Sequence, residues 1–136
     1  MSKALIVLLC LSLTGCAAPR QSLNTKNRQN LNALSLGMSK DEAIAVMGSE
    51  PVKIPGGLYT ASVSITNPHK TETIQTGGRT LTLVYYVTEL TWDERQVRKE
   101  DLTPLVFEYG GLIGWGWEFL EANIDDITRA RFLMMR

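Results

Sequence analysis

Two Gly-Gly pairs, Gly77-Gly78 and Gly110-Gly111, each separate runs with strand character, and they constrain this chain more than any other feature. Paired glycines between strands supply the positive backbone angles that a tight antiparallel hairpin needs. Thr71 to Thr76 is a weak strand pattern before the first pair. After it, Thr80 to Thr88 sets Leu81, Leu83, Tyr85 and Val87 on one face, the period of a strand. Around the second pair, Leu105 to Tyr109 leads into Leu112 to Trp117. A regular strand there puts Ile113, Trp115, Trp117 and Phe119 on one face. Gly114 and Gly116, opposite them, leave room for a helix or a neighbouring backbone to approach. Further upstream, Tyr59 to Thr66 alternates apolar residues with small polar ones until Asn67-Pro68 interrupts it.

Helical signals flank these strands. In Leu36 to Pro51, Ser39 is placed to cap a helix and Glu42 completes a capping box. Asp41 and Glu42 favour the positive end of the helix dipole. Gly48 is a natural stop, and Pro51 prevents continuation. At the other end, Leu120, Ile124, Ile127 and Met134 recur at near-helical spacing. Asn123 or Asp125 can cap that segment, and Arg129, Arg131 and Arg136 suit its C-terminal side. The expected fold is therefore α+β, with short helices packed on a small antiparallel sheet and a C-terminal helix. A chain of 136 residues fits one such domain.

The N-terminus reads as an address. Met1-Ser2-Lys3 is a cationic start, followed by an apolar run from Ala4 to Leu13. That run is too short to cross a bilayer, which takes about 20 residues, but it suits a signal-peptide core. It ends in Leu13-Thr14-Gly15-Cys16, which resembles the lipobox of bacterial lipoproteins. The resemblance implies a cut between Gly15 and Cys16 and lipidation of Cys16, with acyl chains holding the domain at a membrane. Ala17, where sorting in proteobacterial lipoproteins disfavours Asp, implies the outer membrane, facing the periplasm. The organisation expected is a signal peptide over 1–15, a lipidated Cys and flexible tether over 16–33, and one domain over 34–136. Residues 17–32 are polar and rich in Asn and Gln, with Leu23 and Leu31 as the large apolar residues. They read as a stalk or, alternatively, as a short helix lying on the domain.

Gly37, Met38, Ser39, Lys40 and Asp41 or Glu42, followed by Met47, Gly48 and Pro51, resemble the helix start and exit of small outer-membrane lipoproteins of the BamE (SmpA/OmlA) type. The order of lipobox, polar segment, short helix and antiparallel strands agrees with that family. Gly48 and Pro51 stand one residue further apart than in its usual pattern. The resemblance implies a helix-on-sheet α+β fold, akin to the repeats of secreted β-lactamase inhibitor proteins, and a role in outer-membrane assembly. An uncharacterised lipoprotein family sharing this helix start and a Thr-Pro-Leu-Val-Phe-Glu…Gly-Trp-Gly hairpin is the other kinship implied.

Chemistry is sparse. Fourteen basic residues balance fourteen acidic ones, so no nucleic-acid partner is expected. His69, the single histidine, has no second ligand at metal-motif spacing and reads as an exposed loop residue. The adjacent carboxylates Asp41-Glu42, Asp93-Glu94, Glu100-Asp101 and Asp125-Asp126 read as helix starts or charged loops. No catalytic residue, cofactor or metal is expected. The informative excess is aromatic. Tyr86, Trp115 and Trp117 form the candidate partner-binding surface, since Trp and Tyr dominate contact hot spots; core packing is the competing reading. The function expected is a membrane-anchored envelope lipoprotein that binds a protein partner. A periplasmic ligand-binding or hydrolase-inhibitor module is the alternative.

Overall fold

Both glycine-marked hairpins form. In the computed structural model, which describes residues 19–56, 58, 61–90 and 96–134, β3 (Lys70–Thr76) turns through Gly77 and Gly78 into β4 (Arg79–Val87). The two glycines have φ of 54° and 77°, the left-handed geometry that matches a two-residue turn to strand twist. The second hairpin joins β5 (Leu102–Glu108) to β6 (Gly111–Trp115). Glu108 pairs with Gly111, so its turn is Tyr109-Gly110, one residue earlier than the glycine pair suggests. Tyr109 takes a positive φ of 49° there. The antiparallel sheet runs β3-β4-β5-β6, and β1 (Val52–Ile54) pairs with β2 (Val63–Ile65) in a separate two-stranded sheet. Val63 and Ile65 face inward as the alternation predicts, while Tyr59 and Thr60 lie outside the described residues, as does the carboxylate pair Asp93-Glu94.

The four-stranded sheet divides two cores. On one face, Leu81, Leu83, Tyr85, Val87 and Val106 pack with Ile54, Ile65, Leu120 and Ile124. On the other, Val84, Tyr86, Leu105, Phe107 and Leu112 pack with Leu34, Ala43 and Met47. The central strands β4 and β5 are thus buried on both sides. The helices are α1 (Pro19–Leu31), α2 (Lys40–Met47), α3 (Trp117–Ala122) and α4 (Asp126–Met134). The fold is α+β with a C-terminal helix, as the pattern predicts.

The α2 start has the expected chemistry. Ser39 Oγ accepts from the Glu42 amide, and the Glu42 carboxylate accepts from the Ser39 amide at 2.8 Å. The Ser39 amide and, second, the Ser39 hydroxyl both donate to the Glu42 carboxylate and hold it below its usual range. Gly48, with φ of 86°, ends the helix by donating to the Ile44 carbonyl.

The flexible tether needs correction. From Pro19 the chain is helix, docked on the domain. Leu23 is buried among core residues, and three asparagines at every third position fasten the rest. Asn24 exchanges two bonds with the Leu90 backbone. The Asn27 amide donates to the Val87 carbonyl at 2.5 Å, and that of Asn30 to the Met47 carbonyl at 3.1 Å. Cys16 and Gly15 lie outside the described residues.

The aromatic strand also needs correction. A bulge falls between Val106 and Phe107, with Val106 opposite Gly114 and Phe107 opposite Leu112. The extra residue, Ile113, resets the alternation. Ile113 therefore joins the Tyr85 core while Trp115 joins the Tyr86 core. Gly116, at φ 91°, ends the strand, and Trp117 and Phe119 belong to α3.

Candidate functional site

The cation-aromatic pocket beside Trp117

The start of β3, the last residues of β4 around Tyr85, the segment entering β5, and helices α3 and α4 converge on one pocket of about 200 Å³. Its wall is aromatic. Trp117 lies 5.8 Å from the Tyr85 ring and 6.3 Å, edge-on, from the Phe132 ring, centroid to centroid. Trp117 Nε1 donates to the Leu102 carbonyl at 2.6 Å, which fixes the indole's orientation and satisfies its one donor.

Two lysines cover these rings. Lys70 Nζ stands 4.4 Å from the Tyr85 centroid, and Lys99 Nζ 4.6 Å from that of Trp117. Both distances suit cation–π attraction, worth roughly 0.5–2 kcal/mol according to desolvation. Lys99 also donates to the Phe132 carbonyl at 3.1 Å, tying α4 to the pocket. Lys70 lies 3.6 Å from the Glu72 carboxylate, which accepts the Tyr85 hydroxyl. Burial, with the Glu72 contact second, pushes the Tyr85 phenol far above its ordinary range.

His69 completes the rim. It is half-buried, not an exposed loop histidine, and its amide donates to the Tyr85 carbonyl at 2.7 Å. Its Nδ1 is buried with no hydrogen-bond partner among the described residues. Burial, and then the Lys70 charge, lower its pKa, so the ring is neutral at pH 7. An aromatic wall with ammonium groups and an unsatisfied imidazole nitrogen can hold a flat or apolar group carrying an anionic or carbonyl end.

The sequence-predicted surface does not assemble here. Tyr86 is fully buried, and its hydroxyl donates to the Gly48 carbonyl at 3.1 Å. It pins the end of α2, and burial raises its pKa to about 12. Trp115 is half-buried on the same side as Tyr86, whereas Trp117 is on the opposite side of the sheet. Of the three, Trp117 alone lines this pocket. Lys70, Lys99 and Phe132 were not apparent as site residues in the sequence, because contact between them depends on the sheet register.

Among the described residues, no group of three or more His, Cys, Asp or Glu is placed to hold a metal ion. No described helix is long and apolar enough to cross a membrane. A family model described as Protein of unknown function (DUF3192) matches residues 17–122. No curated protein and no solved structure matches the chain.

Proposed function

The chain belongs to the DUF3192 family of proteins of unknown function, and from that premise we propose that it is an envelope lipoprotein acting by binding rather than catalysis. Cleavage before Cys16 and lipidation of its thiol anchor the chain, in this reading to the outer membrane, facing the periplasm. The domain then presents the Trp117 pocket to an envelope protein partner. The sequence Leu13-Thr14-Gly15-Cys16 behind a cationic start and an apolar run supports the anchor. The family match, residues 17–122, lies wholly within the part that the cut would leave. The BamE-type helix start, whose capping box forms at Ser39 and Glu42, supports a role in outer-membrane assembly or integrity.

The pocket itself is the observation that carries the binding reading. Aromatic walls under lysines suit a partner's aromatic or aliphatic side chain beside an acidic one. The ligand-binding alternative draws on the same feature, since the pocket is small and His69 Nδ1 is unsatisfied.

In-cell crosslinking and pull-down of the full lipoprotein, with and without Lys70→Glu, tests the reading. Enrichment of one envelope protein, lost on charge reversal, is the expected result. Recovery of the same proteins from both variants would remove the pocket from the interface. Saturable binding of a small periplasmic solute, with no protein recovered, would favour the alternative. Cys16→Ala tests the anchor: a folded domain should leave the membrane fraction, and one still bound at high salt would refute lipidation as its cause.

A further inference from the structure

Helix α4 has two faces. Thr128 is buried and Phe132 packs on Trp117, whereas Ile127, Ala130 and Met134 point away from the sheet. Ile127 is 77% exposed and Met134 81%. Their spacing of three and four residues makes one apolar stripe along the helix, and Asp126 and Arg131 border it.

The ends of α4 locate this stripe in the molecule. Asp125, just before the helix, accepts from the Gly77 amide at 2.8 Å, at the β3–β4 turn. Phe132, near its other end, meets Lys99, which enters β5. Val87 and Leu102 are paired, so the C-terminal end of α4 lies at the end of the sheet where β4 stops and β5 begins. The middle of α1 sits at that same end, through the bonds of Asn24 to Leu90 and Asn27 to Val87.

We propose that the outer stripe of α4 lies on the phospholipid surface to which Cys16 anchors the chain. The proposal rests on the lipid-anchor reading. Only Ala17 and Ala18 separate Cys16 from Pro19, where α1 begins. Three backbone steps reach about 10 Å, so the anchor holds this end of the domain against the headgroups. The charge agrees: α1 carries Arg20 and Lys26, together with Arg28, which pairs with Glu89 at 3.0 Å, and no acidic residue. Basic residues at the end of the domain that the anchor holds suit lipid phosphates, and an apolar helical stripe suits the acyl boundary beneath them.

The test uses the mature lipidated protein in vesicles of phosphatidylethanolamine and phosphatidylglycerol. An environment-sensitive dye is attached through Met134→Cys or, as the control, through Tyr109→Cys. Tyr109 is 99% exposed at the far end of the sheet. Bilayer-embedded brominated lipids should quench the Met134 probe several-fold more than the Tyr109 probe. Equal quenching in protein that floats with the vesicles would overturn the inference and leave the anchor standing. Failure to float, with a second dye taken up at Cys16, would overturn both, because a lipidated thiol cannot react. A Met134 probe shielded before vesicles are added would put a second copy on the stripe, also against the inference.

Discussion

Gly114 has no side chain, and the ring of Phe119 occupies that space: a Cβ placed there would come within 2.6 Å of three ring carbons. Phe119 is part of the wall that closes one core, so it has little freedom to withdraw. Gly114→Ala should destabilise the domain by about 1–3 kcal/mol, the usual cost of overpacking, measured as a lower urea midpoint with an unchanged slope. A glycine inside a strand pattern signals close approach, so the approach was legible in the sequence; the ring of a following helix as its cause was not. The amide and hydroxyl of Thr128, then the Gly77 amide, hold the Asp125 carboxyl at about 2, below its ordinary 3.8. Its contribution to stability is present above 3.8 and is lost as pH falls towards 2. His69, lowered from 6.5 by burial, resists protonation in the fold, so stability should rise with pH through the region just below 6.5. Acid unfolding followed by fluorescence should show a shallower low-pH slope for Asp125→Asn. His69→Gln should flatten the profile near pH 6 alone.

Helix α1 shows how an element can be present and yet poorly marked. Composition counts apolar residues, and between Ala17 and Asn32 it finds Leu23 and Leu31, too few for a packed helix. The docking relies instead on Asn24, Asn27 and Asn30, which satisfy backbone groups of Leu90, Val87 and Met47. Their spacing of three keeps them near one helical face, but the acceptors come from remote segments, the end of β4, the stretch just after it and the end of α2, and no local pattern names them. The bulge in β6 is hidden for a similar reason, since its position depends on pairing with β5 and reverses the facing expected of Trp115. The α2 capping box and the Gly77-Gly78 turn, by contrast, are local, and both formed where the residues implied. For α1 the expected outcome is definite. Leu23→Ala should cost about 2–4 kcal/mol as a buried large-to-small change, and chemical denaturation would register it. A mobile stalk would show no change.

At the scale of the whole molecule, the sheet sets which distant residues become neighbours. Lys70 and Tyr85 are paired across β3 and β4, and the α3–α4 turn returns Phe132 to Lys99. The sequence marked Trp117 as noteworthy, yet the pocket around it required that register. The same topology carries both ends of the functional argument to one place, because the middle of α1 and the end of α4 share an end of the sheet. If Cys16 is lipidated, closeness to the membrane is a property of the short link through Ala17 and Ala18 and can be changed without touching either core. Inserting roughly 20 Gly/Ser residues before Pro19 would extend the link to a root-mean-square span of about 25 Å. The protein should keep its unfolding midpoint and still float with vesicles, since the anchor and both cores are intact. Lipid quenching of a probe at Met134 should fall to the level at Tyr109, because α4 alone offers too little apolar surface to stay on a bilayer against that freedom. Undiminished quenching would mean that the stripe binds lipid by itself, and the domain would then have a second attachment independent of Cys16.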